Sequence, residues 1–168
     1  MAEELLQSAF SPIYGLPCWS VKHGHGSFLT LEFGEPSLCI REPHKNPSSL
    51  PRSIRGALGR RLVYPRGQWH LWIYCCWWQV TVEEEFIGNS ASDNTLINSS
   101  VDALNGQRLL KLFRGAGPAS WSFEFDLGAM LSTRPYNSDD QWYLYEPGGT
   151  VITANSSGHL TRSAGNNV

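Results

Sequence analysis

Residues 68–80 read QWHLWIYCCWWQV. In an extended strand, successive side chains point to opposite faces. One face then carries Trp69, Leu71, Ile73, Cys75 and Trp77, and the other carries His70, Trp72, Tyr74, Cys76 and Trp78. Both faces are apolar, so the run belongs inside a β-rich molecule and is expected to be covered on both sides. It forms either one long bent strand or two strands separated by a bulge near residues 74–76. Leu71, Ile73 and Cys75 are the expected buried set, with most of Trp72, Trp77 and Trp78 covered as well.

The start of this run recurs. QWHLW at 68–72 is answered by QWYLY at 141–145, and TLEF at 30–33 by SFEF at 122–125. Internal similarity bears directly on architecture. Two matched segments predict two related antiparallel meanders rather than a many-repeat solenoid. The upstream matches lie 92 positions apart and the downstream ones 73, so the first copy carries 19 extra residues. These fall in a stretch rich in Pro, Ser and Arg. The expected units are 15–88, with a loop insertion over 42–65, and 106–161, joined by a helix within 92–105. The whole of 1–168 then reads as a single domain of two similar halves.

Local signals fill in the elements. Asp93 or Ser92 caps a helix over 94–104, whose apolar stripe is Leu96, Ile97, Val101 and Leu104. Asn105-Gly106 ends it. A shorter helix is expected over 2–9, and one helical turn near 53–58. Strands are expected near 19–22, 28–33, 38–41, 107–113, 119–126, 129–133, 141–146 and 150–154, each bounded by turn residues. The polar tail from Thr161 is expected to fray. The fold class is α+β, mainly antiparallel β. Two meanders share one aromatic-rich core, as a sandwich or a partly open barrel.

The stretches QWHLWIYCCWW and FDLGAMLSTRPY resemble a group of small uncharacterised bacterial proteins, over most of the chain. The resemblance implies a β-rich fold. It implies no activity and assigns no functional residue.

Only 17% of residues are charged, and the formal net charge is −2. That balance argues against a dedicated nucleic-acid binder. The cysteines Cys18, Cys39, Cys75 and Cys76 contain no CxxC pair, so they are read as free thiols of a reducing compartment. The first residues resemble no secretory signal, and no apolar run approaches membrane length. A cytoplasmic location with no membrane partner is therefore expected.

No GxSxG, Walker A, HExxH or GxGxxG motif is present. His23 and His25 fall two apart in HGHGS, but two histidines at a turn lack the four ligands zinc requires. Glu83, Glu84 and Glu85 read as a solvated strand end. Asp139 and Asp140, with Glu124 and Asp126, read as polar strand positions. No catalytic residue, metal site or cofactor is expected, and the chain is not expected to be an enzyme. The positive signals are abundant Trp and Tyr and a Pro/Arg-rich loop, the residue types that anchor interfaces. The candidate partner-binding residues are Arg52, Arg55, Arg60, Arg61, Trp72 and Trp78. The expected function is non-enzymatic interaction with a protein partner, as in an immunity or antitoxin-like protein. The alternative is a small-ligand binder with an aromatic-lined cavity between the two β units. Unpaired strand edges add the expectation of a homodimer.

Overall fold

The computed structural model describes residues 2–165. In chain order the elements are α1 (Ala2–Phe10), β1 (Trp19–His23), β2 (Leu29–Phe33), β3 (Ser37–Arg41), α2 (Arg52–Leu58) and β4 (Leu62–Arg66). Next come β5 (Trp69–Ile73), β6 (Trp77–Val82), β7 (Glu85–Asn89), α3 (Asn94–Leu104) and β8 (Leu109–Arg114). The chain continues with β9 (Trp121–Phe125), β10 (Ala129–Arg134), β11 (Trp142–Tyr145), β12 (Thr150–Ala154) and β13 (Leu160–Ala164). The strands form two open antiparallel sheets and a separate ribbon. One sheet runs β1-β2-β5-β11-β12-β13, the other β7-β6-β10-β9-β8, and the ribbon is β3-β4.

The apolar run breaks where a bend was expected. β5 pairs with β11 from His70↔Tyr145 to Ile73↔Trp142. β6 pairs with β10 from Trp77↔Arg134 to Val82↔Ala129. Between these ladders, residues 74–76 on one side oppose residues 135–141 on the other. One two-stranded band therefore turns a corner and passes from the first sheet to the second. The bend also changes which residues face inward. Leu71 and Ile73 are fully buried before it, and Cys76, Trp78 and Val80 after it. Cys75 is only partly covered, in contrast to the expectation that it would be buried, because the corner takes it out of strand alternation. Nor is the run covered on both sides: Trp72, Tyr74 and Trp77 are half-buried.

Gln141 holds the corner and is itself fully buried. Its carbonyl accepts from the Tyr74 N–H at 2.7 Å, and its own N–H donates to the Ala154 carbonyl at 2.7 Å. Its side-chain Nε2 donates to the carbonyls of Ala119 (2.7 Å) and Asn155 (3.1 Å). Its Oε1 accepts from the Thr133 hydroxyl at 3.3 Å. One amide thus ties both sheets to the loop before β9 and the turn after β12.

The two sheets share one apolar core. The ring of Trp142 on β11 lies 5.4 Å from Trp121 and 5.9 Å from Phe123, both on β9 of the other sheet. Phe10, at the end of α1, reaches the same place, 5.6 Å from Trp142. Helix α3 packs on β7 and β1 through Ile97 and Leu104. Asp93 caps it, accepting from the Leu96 N–H at 3.0 Å. Gly106 follows at φ +91°, a conformation that favours glycine. The boundaries expected for this helix hold.

The internal duplication is not confirmed. β2 lies beside β5 in one sheet, whereas their matches β9 and β11 lie in different sheets. Gln68 is exposed and Trp69 half-buried, whereas Gln141 and Trp142 are fully buried.

Two further segments differ from expectation. Residues 62–66 are a strand rather than loop, paired with β3 from Ser37↔Arg66 to Arg41↔Leu62. Together with α2 they make an arm over 37–66. β13 pairs with β12 along its whole length, so 161–164 belongs to an ordered edge strand rather than to a fraying tail. The rest of that expected tail, residues 166–168, lies outside the described residues.

Replacing Gln141 by Leu removes the side-chain partner of the Ala119 carbonyl and of the Thr133 hydroxyl, and leaves the Asn155 carbonyl with the Gly158 N–H alone. A loss of about 2–4 kcal/mol is expected from urea unfolding curves. Gln68→Leu, at the matching word, is expected to change stability by less than about 0.5 kcal/mol.

Candidate functional site: the aromatic outer face of the six-stranded sheet

Register decides which side chains share the outer face. Leu31, Leu71 and Leu144 face the core and are fully buried, so their neighbours face outward. The aligned outward rows are Thr30-Trp72-Tyr143-Thr153 and Glu32-His70-Tyr145-Val151. Phe28, just before β2, and Tyr74, at the corner, extend this surface.

The rings form a continuous array. Phe28 and Tyr74 stack at 5.0 Å with planes 19° apart. Trp72 meets Phe28 at 5.3 Å, Tyr74 at 4.9 Å and Tyr143 at 5.7 Å. Tyr74 and Tyr143 are 5.4 Å apart. At the other end His70 lies 5.7 Å from Tyr145, and the Arg66 guanidinium sits 5.1 Å over the Tyr145 ring. Phe28, Trp72, Tyr74, Tyr143 and Tyr145 are all half-buried: each is fixed by its neighbours and still presents an edge outward. The Tyr143 hydroxyl donates to Asp140 at 2.8 Å.

A buried carboxylate underlies this surface. Glu32 meets His70 Nδ1 at 2.6 Å and accepts from the Gly67 N–H at 2.9 Å. Gly67 is required there, since a Cβ would come 2.5 Å from the Phe33 carbonyl oxygen. Among the described residues, no hydroxyl or thiol is hydrogen-bonded to His70. The pair pins β2 to β5 at the root of the arm. No group of three or more His, Cys, Asp or Glu side chains among the described residues is placed to hold a metal ion. His23 Nε2 bonds the Gly26 carbonyl at 2.8 Å, closing the HGHGS turn on itself.

The six candidate partner-binding residues do not come together. Trp72 is central to the aromatic face. Trp78 is fully buried, and its indole donates to the Ser27 carbonyl at 2.8 Å, so it is unavailable to a partner. The parity change at the corner turns it inward. The four arginines lie on the arm. Arg55 bonds the carbonyls of Ser48 and Leu50, and Arg61 pairs with Glu42 at 2.9 Å, so both build the arm itself. Arg52 and Arg60 are exposed. Sequence reading missed Phe28, Tyr74, Tyr143 and Tyr145. QWYLY held a usable signal, since its tyrosines alternate with core residues.

Between the sheets, where a ligand cavity was the alternative expectation, the rings of Phe10, Trp121, Phe123 and Trp142 meet. An open groove of about 440 Å³ lies instead where Trp77, Pro118, Ser132 and Arg134 converge. There the Arg134 guanidinium sits 4.1 Å over Trp77. Among the described residues, no helix is long and apolar enough to cross a membrane.

Burial raises the Tyr143 phenol above its usual range, and the neighbouring Asp140 carboxylate raises it further. Burial also raises Tyr145, against the lowering effect of Arg66. Above about pH 10 the unfolded chain loses these protons while the folded chain keeps them. Unfolding then releases protons, so stability is expected to fall as pH rises from about 10. Urea midpoints measured across that range are expected to fall less steeply for Tyr143→Phe than for the native chain.

No family model, curated protein or solved structure matches the chain.

Proposed function

We propose that the chain is a non-enzymatic protein-binding module that recognises its partner through the aromatic outer face. The observation that carries this reading is the array Phe28, Trp72, Tyr74, Tyr143 and Tyr145, half-buried and locked ring against ring. Rigid Trp and Tyr side chains anchor interfaces because they bury large areas at little entropic cost. Arg66 and Asp140 at the margin supply directional contacts. The concrete form proposed is an antitoxin or immunity-like protein of the cytoplasm. The four cysteines are unpaired, as a reducing compartment requires.

The test compares the native chain with Trp72→Ala/Tyr143→Ala, each immobilised and exposed to extract of the source cells. A partner is expected on the native chain that the variant loses, with a cost of about 2 kcal/mol or more once its affinity is measured. For the antitoxin form, that partner arrests growth when expressed alone, and the native chain relieves the arrest while the variant does not. Equal retention of the same proteins by both chains sinks the aromatic face as the recognition surface.

A further inference from the structure

Two uncovered apolar patches of opposite charge lie on this chain. The first is on the arm. In the β3-β4 register Leu38 faces Pro65 and Ile40 faces Val63, so these four side chains share one side of the ribbon. Leu38, Ile40 and Val63 are 74%, 58% and 51% exposed. A two-stranded ribbon alone in water is marginally stable, so an apolar side left open calls for a cover. The arm is also strongly basic: residues 37–66 hold seven Lys/Arg and one Glu. That glutamate, Glu42, already pairs with Arg61. Arg52 and Arg60 are exposed with no partner among the described residues.

The second patch is formed by two hairpin tips of the five-stranded sheet. The β6-β7 turn and the β9-β10 turn are joined by the Glu83 N–H donating to the Gly128 carbonyl at 3.0 Å. Phe86 and Leu127 there are 52% and 68% exposed. Around them Glu83, Glu84, Glu85 and Asp126 are exposed. Two cations near the neighbouring strand are already engaged. Arg108 donates to the Gly15 carbonyl at 2.7 Å, and the Lys111 ammonium lies 5.5 Å over the Phe113 ring. Outside the arm the chain holds six Lys/Arg against 14 Asp/Glu.

We infer that the arm of one copy docks by its apolar side on the joined hairpin tips of a second copy. Arm-on-arm contact would bring two basic segments together, and tip-on-tip contact two acidic ones; like charges across an interface are costly. Arm-on-tip covers both apolar patches and sets arginines against glutamates. A nucleic acid would satisfy the arginines but leave Leu38, Ile40 and Val63 uncovered. With one arm and one tip per chain, a reciprocal exchange about a twofold axis closes the assembly as a dimer. The inference uses none of the five rings of the aromatic face and stands apart from the partner proposed for it.

Sedimentation velocity on the full chain tests it. The native chain is expected to dimerise at ~10 μM, with an affinity that weakens as salt is added. Arg52→Glu/Arg60→Glu and Glu84→Lys/Glu85→Lys are each expected to weaken the dimer at least about tenfold. Both pairs of swaps in one chain restore it, which separates charge matching from misfolding. Leu38→Ser/Ile40→Ser/Val63→Ser is expected to be monomeric with native circular dichroism. A monomeric native chain at ~10 μM, a dimer indifferent to the swaps, or no restoration in the combined variant overturns the inference. So does a native monomer whose arm arginines are needed to retain DNA or RNA in a gel-shift assay.

Discussion

The corner between the two sheets depends on the burial of one neutral amide. A long two-stranded band cannot fold back on itself without breaking its ladder, and the broken groups need partners where no water reaches. Gln141 supplies them with its main chain and side chain together. A carboxamide suits this role because it both donates and accepts without charge. A carboxylate would place repulsion beside the Ala119 and Asn155 carbonyls. An apolar residue would leave those carbonyls without this donor.

The same bend decides which aromatics become surface. Before it, odd-numbered residues of the run face the core; after it, even-numbered ones do. Trp78 is thereby drawn inside, and Trp72 is left outside beside Tyr143. The outer face is thus a consequence of the core's geometry. The side chains that stabilise the sheet and those that present a surface are adjacent positions on the same strands. Any change that shifts register at the corner moves both sets at once.

Much of the local structure was legible in the amino acids. Helix α3 followed from its cap, its stripe and its glycine, because those signals are local and independent of tertiary context. Most strand positions followed from alternation and turn residues. The bend at 74–76 was visible as an interruption, but its effect on parity was not. Parity depends on how many residues the opposing strand spends at the corner, a long-range fact. Cys75 was misplaced for that reason, and Trp78, although expected to be covered, was for the same reason wrongly counted among the partner-binding residues. Strand β4 was missed because Pro65 and its flanking arginines resemble a loop, and a ribbon pairing only with its neighbour tolerates both. The matching words QWHLW and QWYLY suggested a duplication that the sheet order does not confirm. Their environments differ: Gln68 is exposed and Gln141 buried. Of the site, Trp72 was legible and the rings assembled around it were not.

Net charge was the least informative number in the sequence, and its distribution was among the most informative. A total of −2 conceals a basic arm and an acidic body. Charges of opposite sign held apart on one chain attract each other unless geometry prevents it. Here the arm leaves the body at a root fixed by Glu32, His70 and Gly67, and its apolar side remains exposed. Apolar exposure on both the basic arm and the acidic tips matters more than the charges do. Exposed ion pairs contribute little to affinity on their own. They select which apolar surfaces meet and set the register, while burial of Leu38, Ile40, Val63, Phe86 and Leu127 would supply the driving force.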